Sequence, residues 1–428
     1  SSQAPHFATL AEAIKAHLPD VPLLCGGFHA NLAYEDILKN TKIDAVVLGE
    51  GELALVEYLE ALKGGGGFEE LQNFCFMRDG ELVANPVRPF IKDLGSLPYC
   101  DKEVLDYQVA INHYFKTAIL LASRGCPWAC KFCSNNVFRH RGKGEYARLR
   151  PVEHVMGEIE DVESRFKFNY FFFRDDTFTW NKEWTLKFCE EYPKHTKKRF
   201  DILTRADCVD EDIAKALAEA GCQCSWIGVD AGNDYIRMEV LDKRVTKEQY
   251  IEAADLLHKY GISVMTTNMI GLPYETPERA WETIELNRRI YRDYVSFSPA
   301  NGSGPKIFTF APFPGTPLYD LCKREGWMTE WPKKFMVYYD TYIDMPQFPR
   351  KKVLRMKKSF RYHVYRPNHP VKAFIYLVWD WVIGPLLLFN MRTRPLMHLL
   401  TNALSPVMSG LKAVKLPGAS RREAAHIS

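Results

Sequence analysis

The first stretch of the chain alternates two hydrophobic periods. "FATLAEAIKAHL" spaces its apolar residues for a helix, and "VPLLCGGFHAN" is a short apolar run halted by two glycines. "AYEDILKN" reads as helix, "DAVVLGEGE" as a buried strand ending in glycine, and "ELALVEYLEALK" as a helix closed by Gly64 to Gly67. Continuous apolar strands between helices predict a parallel sheet covered on both faces. Two strands are too few for a doubly wound domain. Residues 1–67 therefore read as the C-terminal half of one, with its first half lying before Ser1.

Residues 68–115 read as a connector, with a hairpin at Asp79-Gly80 in "CFMRDGELVANPVRP" and then the Pro-marked "IKDLGSLPYCD". From 116 to 328 strand and helix repeat. Strands "TAILLAS", "NYFFFRDD", "FDILTRA", "CSWIGVDAG" and "SVMTTNMIGL" alternate with five helical patterns. In the first helix Val152, Val155, Met156, Ile159 and Val162 share one face behind Pro151. The third is capped by Asp210 and stopped by Gly221. A sixth strand falls in "YVSFSPA" or in "KIFTFAP", on either side of "NGSGP". Six successive βα units imply right-handed crossovers and a curved sheet. The fold class is thus α/β, a partial (β/α)6 TIM-like barrel left open because a closed one takes eight units. Residues 329–428 read as helical, aromatic and basic.

Composition alters this picture at two points. Apolar content of 46% and charged content of 25% are ordinary for a globular protein. The eleven cysteines are an odd number in a long chain, which argues against a secreted disulfide framework and for a reducing cytoplasm. The start SSQAPHF shows no basic and apolar leader, so no secretory signal is read. Net charge is +3, yet residues 350–428 hold fifteen Lys/Arg against two acids, leaving 41 basic against 51 acidic residues elsewhere. That asymmetry argues for a surface-binding tail, not for a nucleic-acid-binding body. "AFIYLVWDWVIGPLLLF" would reach ~25 Å as a helix, short of the ~30 Å hydrocarbon core. Asp380 interrupts it and Gly384-Pro385 breaks it. Tyr376, Trp379 and Trp381, flanked by Lys372, Arg392 and Arg394, suit an interfacial segment at the inner face of a membrane. The alternative is an ordinary helical cap on the barrel.

The candidate chemistry lies in "SRGCPWACKFCSNN". Cys126, Cys130 and Cys133 fall on the loop after the first barrel strand, at the end where parallel α/β folds build sites. Three thiolates suit a [4Fe-4S] cluster. Three protein ligands leave one iron open, as catalytic metals keep one position open. Structural zinc would need a fourth ligand, with His140 nearest. Cys222 and Cys224 form a C-x-C pair, read as strand residues packing on one face.

C-x-x-x-C-x-Phe-C, with Phe132 before the last cysteine, resembles the radical S-adenosylmethionine (SAM) superfamily, in its cobalamin-linked branch. The resemblance covers about 117–327. It implies that SAM chelates the open iron and that one electron cleaves it to methionine and a 5′-deoxyadenosyl radical, with Phe132 beside the SAM. "FFFRDDTF" resembles the second-strand motif, which implies Asp175 and Asp176 near the SAM amino group. "WIGVDAG" resembles the fourth-strand motif, with Asp230 in place of the usual Glu and expected near the ribose. "NMIGLPYET" resembles the fifth-strand motif, whose backbone at Ile270 and Gly271 would line the adenine, and "FAPFPGTPLYD" the closing stretch. Structural readings stand beside these: a turn cap for Asp175-Asp176, tight packing for Gly228 and Gly232, a turn acceptor for Asp230. Tyr274, Phe308 and Phe310 could line a pocket, though core packing suits each one better.

"LLCGGFHANL" and "DAVVLGEGE" resemble the last two strands of a Rossmann-like cobalamin-binding domain. Gly26, Gly27, His29, Gly49, Glu50 and Gly51 are its candidate contacts. The Asp-x-His-x-x-Gly stretch of some cobalamin proteins is not visible, and His29 is not that histidine by motif. The resemblance implies an enzyme using a [4Fe-4S] cluster, SAM and cobalamin to methylate an unactivated carbon of a hydrophobic or lipid-like substrate. An external low-potential electron donor would supply it. No side-chain base is needed, so no catalytic residue is named. The alternatives are an anaerobic oxidative cyclase of a tetrapyrrole-like substrate, of the magnesium-protoporphyrin ester cyclase type, and a non-catalytic iron–sulfur membrane-docking redox protein.

Overall fold

The computed structural model describes residues 4–104, 106–294, 297–298, 302–329 and 340–383. Helices α1 (Ala4–His17), α2 (Gly27–Asn40) and α3 (Glu52–Lys63) alternate with the short parallel strands β1 (Leu24–Cys25) and β2 (Ala45–Val47). Strands β3 (Phe74–Arg78) and β4 (Glu81–Ala84) form the hairpin. Its Asp79 and Gly80 both take positive φ, the twist that an Asp-Gly turn supplies. The hairpin is more than a connector. β3 pairs antiparallel with β2, so one sheet runs β1-β2-β3-β4 and extends past residue 67. A turn is written in adjacent residues, whereas its sheet partner is not. Ala30, Ile37, Val46 and Cys75 pack on one face, and Ala45, Tyr58, Phe74 and Phe76 on the other. Helix α3 buries only Ala54 and Tyr58 and leaves Leu53, Leu55, Val56 and Leu59 about half exposed.

Helix α4 (Tyr107–His113) leads into β5 (Thr117–Leu120). A two-residue ribbon follows, β6 (Ser123–Arg124) against β7 (Arg148–Leu149), with α5 (Ser134–Phe138) between them. Then come α6 (Val152–Arg165), β8 (Tyr170–Phe173), α7 (Lys182–His195), β9 (Phe200–Thr204), α8 (Glu211–Glu219), β10 (Cys222–Asp230), α9 (Lys247–Lys259), β11 (Ser263–Ile270) and α10 (Pro277–Ile290). Asp210 caps α8 as its spacing predicts, accepting from the Ile213 N–H. "YVSFSPA" supplies only β12 (Phe297–Ser298), paired antiparallel with β13 (Gly302–Ser303). The sixth barrel strand is β14 (Lys306–Thr309), from "KIFTFAP". The sheet runs β5-β8-β9-β10-β11-β14, parallel throughout, and curls into a half-barrel of six strands. Helices α11 (Pro317–Arg324), α12 (Arg350–Tyr365) and α13 (Pro370–Val378) complete it.

Alternation along the strands builds two cores. Phe171, Phe173, Phe200 and Ile202 turn outward to meet Phe188 and Tyr192 of α7. Phe172, Cys224, Trp226 and Met265, with Leu203, fill the lumen. Each fully buried Phe contributes ~1.5–3 kcal/mol. A register shift between Cys222 and Cys224 corrects the reading of that pair. Cys222 joins the outer core and Cys224 the lumen. An extra residue in a strand switches faces, and simple alternation cannot foresee it.

The described part of the C-terminal region is a packed cap. Phe360, Val364, Tyr365, Ala373 and Tyr376 join the main core, and Arg361 pairs with Asp380. Asp380 therefore has a partner on α12 within the same region, and the alternative of a helical cap describes residues 340–383. The remainder of the proposed interfacial stretch lies outside the described residues. No helix among the described residues is long and apolar enough to cross a membrane.

Gly232 shows how tightly these layers meet. A Cβ there would lie 2.3 Å from the Glu282 carbonyl oxygen and 2.5 Å from Thr283 Cα of α10. Gly232→Ala should destabilise the protein by ~1–3 kcal/mol through overpacking. Thermal unfolding would register this as a Tm lower by several degrees, and an unchanged Tm would refute the close approach.

Candidate active site

The cysteine segment leaves β5 and is fastened before it reaches its first thiol. Asp175, at the end of β8, is fully buried and accepts from the Ala122 N–H at 2.9 Å and from the Ser123 hydroxyl. Burial still pushes its carboxyl up to about 6. Gly125 has φ +76°, and a Cβ on it would sit 2.5 Å from the Tyr146 carbonyl oxygen, so only glycine fits. Beyond the thiols, Arg139 Nη2 reaches back to the Cys126 carbonyl at 2.8 Å, and Asn136 Nδ2 to the Ala129 carbonyl at 2.9 Å.

Cys126, Cys130 and Cys133 are all free of disulfides. Burial pushes each thiol up, that of Cys133 to about 12, and the charges of Cys130 and Cys126 add to the Cys133 shift. Lys243 and Arg205 oppose the shift at Cys130, with Arg205 Nη1 4.0 Å from its sulfur. Such a donor set fits an iron–sulfur cluster, whose binding expels the thiol protons. Among the described residues no three His, Cys, Asp or Glu side chains gather around a single ion. A zinc site with His140 would need that convergence. A cubane does not, because each thiolate binds a different iron. Cys208, on the turn after β9, also senses Cys126.

The expected SAM contacts divide. Asp176 keeps an exposed edge beside Asn135, while the neighbours packed around its carboxyl raise its pKa by desolvation. Asp230 takes a left-handed φ of +63° and is paired through Oδ2 with Lys243 at 2.6 Å. Asp175 spends its carboxylate on the Ala122 N–H and the Ser123 hydroxyl, latching the start of the cysteine loop. Phe132 packs on a second core cluster with Ile236 and Val240, and the Ile270 side chain is buried in the same cluster. The Gly271 N–H is held by Glu275 at 2.7 Å and the Ile270 carbonyl by the Phe310 N–H at 2.9 Å. Tyr274 and Phe310 also pack there.

On the first domain, Gly26 and Gly27 lie exposed at the start of α2, with nothing within 4 Å of a Cβ on Gly27. His29 is half-buried, its ring 5.3 Å from that of Phe7. Gly49 packs closely, since a Cβ there would strike Val87 at 2.9 Å. Glu50 is engaged within the protein. Both its oxygens are taken by Arg148, Arg124 and the Ile91 N–H, which together outweigh burial and hold its carboxyl below the usual range. Gly51 caps α3 with room to spare. The sequence reading missed Arg205, although it directly follows β9, at the same end of the sheet as Asp230 of β10. Lys243 and Asn31 carried no local signal at all.

Residues 120–286 match the Radical SAM superfamily and residues 1–59 the B12 binding domain. The chain carries a radical SAM domain and a B12-binding domain. The cofactors expected from the sequence, a [4Fe-4S] cluster, SAM and cobalamin, are those of these two domains. A protein of Pyrococcus horikoshii described as an uncharacterized methyltransferase is 26% identical over 368 residues, covering 85% of this chain and 77% of that protein. The anaerobic magnesium-protoporphyrin IX monomethyl ester cyclase of Rubrivivax gelatinosus is 29% identical over 318 residues, covering 72% of this chain. The chain spans about half of that cyclase, 54% of its length. In fold, the radical SAM enzyme OxsB, solved with aqua-cobalamin, aligns with a TM-score of 0.62 at 16% identity, over 96% of this chain and 67% of that one.

Glu275 closes the fifth-strand motif of the radical SAM domain and gives a pH test. Its Oε2 accepts from the Gly271 and Leu272 N–H groups, while buried Oε1 has no partner. Burial pushes its carboxyl up to about 8. Its folded-state pKa lies above the unfolded one, so stability falls as pH rises from about 4.5 to 8. Glu275→Gln should flatten that fall. In urea titrations its midpoint should exceed wild type above pH 8 but not at pH 5, and parallel pH profiles would contradict the assignment.

Proposed function

We propose that this protein is a cobalamin-dependent radical SAM methyltransferase acting on an unactivated carbon of a hydrophobic substrate. The observation that carries the reading is the meeting of the two cofactor regions. Phe28 of the B12-binding domain packs its ring 4.3 Å from that of Phe138, at the end of the helix that begins after Cys133. When bound, the cluster supplies the electron that splits SAM into methionine and a 5′-deoxyadenosyl radical, and cobalamin supplies a transferable methyl group.

The protein's own residues hold and orient. Cys126, Cys130 and Cys133 would hold the cluster. Arg205 and Lys243 place positive charge beside Cys130, favouring its thiolate. Asp176 and Asp230 remain the carboxylates placed to orient SAM. Gly26 and Gly27 allow close approach of a flat ligand. Phe172, Trp226 and Met265 pack the inner face of the sheet with apolar side chains. No side chain is asked to move a proton, in keeping with chemistry carried by cofactors. Likeness to the cyclase favours a second reading, oxidative ring closure on the same scaffold.

Anaerobic reconstitution, a low-potential reductant and SAM labelled in its methyl group test both readings. Methylation predicts 5′-deoxyadenosine and label in the product, both lost in Cys126→Ala. Ring closure without label would favour the cyclase. Iron–sulfur loading without any 5′-deoxyadenosine would refute both and leave a non-catalytic redox protein.

A further inference from the structure

Both flanks of the cysteine loop rest on the two glycine loops of the first domain. Upstream, Arg124 stands two residues before Cys126. It donates through Nη1 to Glu50 Oε1 at 2.8 Å and through Nη2 to Glu52 Oε1 at 2.6 Å. Arg148, opposite Arg124 in the β6–β7 ribbon, meets the same carboxylate as a fork, at 3.0 Å and 2.9 Å. The Ile91 N–H adds a fourth donor at 2.7 Å. Downstream, Phe138 packs on Phe28, and Arg141 Nη2 donates to the Asn31 carbonyl at 2.8 Å. Buried Asn31 ties the two glycine loops together, donating to the Gly27 carbonyl at 3.0 Å and accepting from the Gly49 N–H at 2.7 Å. Arg148 is almost wholly buried and Glu50 mostly so. Removing one partner of such a pair strands the other's charge, which makes the contact all-or-none.

We propose that Glu50, gripped by Arg124 and Arg148, is a positioning residue that locks the Gly26–Gly27 and Gly49–Gly51 loops to the cysteine loop, so that assembling the cluster orders the cobalamin-side loops. This rests on the reading that the three cysteines hold a cluster. Metal loading fixes a ligand loop that is otherwise freer. Segments that share contacts share that ordering, so the second cofactor meets a site already partly organised. The coupling is reciprocal by linkage.

Hydrogen–deuterium exchange before and after anaerobic iron–sulfur reconstitution is the test, followed on peptides covering residues 26–31 and 48–52. Loading should slow exchange in both peptides several-fold in the wild-type protein. In Glu50→Gln the iron content should match wild type while both peptides ignore loading. Arg148→Lys keeps the charge but loses the fork and should show a smaller response, which serves if Glu50→Gln does not fold. Wild-type loops indifferent to loading, or equal slowing in Glu50→Gln, would overturn the clamp alone. A protein that binds no iron would overturn the cluster reading and the clamp with it.

Discussion

The site depends on how residues 122–126 are held. Asp175 grips Ala122 and Ser123 from the barrel side, Glu50 and Glu52 grip Arg124 from the first domain, and Gly125 is pressed against the Tyr146 backbone. Hydrogen bonds to charged groups are worth ~1.5–3 kcal/mol each. A two-residue ribbon that could not hold itself is thereby fixed from two domains. Cys126 inherits that placement, and the return bond from Arg139 closes the loop behind it.

This anchoring explains the division of acids around the cleft. Sequence pattern presents Asp175 and Asp176 as an equivalent pair. The fold separates them, the first buried and committed to the backbone, the second keeping an exposed edge. Glu50 follows the same rule: the sequence offers it as a cobalamin contact, and the fold commits its carboxylate to Arg124, Arg148 and the Ile91 N–H. The cations act in the other direction. Burial raises all three thiols, and Arg205 and Lys243 partly offset it at Cys130 without contributing ligands.

What could be read from sequence was what neighbouring residues determine. The βα repeats, the Asp210 cap, the Asp-Gly turn and the cysteine spacing are local, and the fold contains each of them. Features set by distant partners were not legible. β3 joined a sheet whose other members precede it, the sixth strand was settled by pairing with β11, and a bulge split Cys222 from Cys224. Arg148, 98 positions from Glu50, has no local mark that assigns it to that carboxylate.

The central claim is an iron with no protein ligand, open to SAM. Electron paramagnetic resonance of the reconstituted, reduced protein, with and without SAM carrying isotopically labelled amino and carboxylate groups, tests it most directly. The account predicts that SAM changes the g values and that the label couples magnetically to the cluster. A spectrum unmoved by SAM, or one that changes only once Cys208 is replaced by Ser, would mean that a fourth side chain fills the corner and would contradict it.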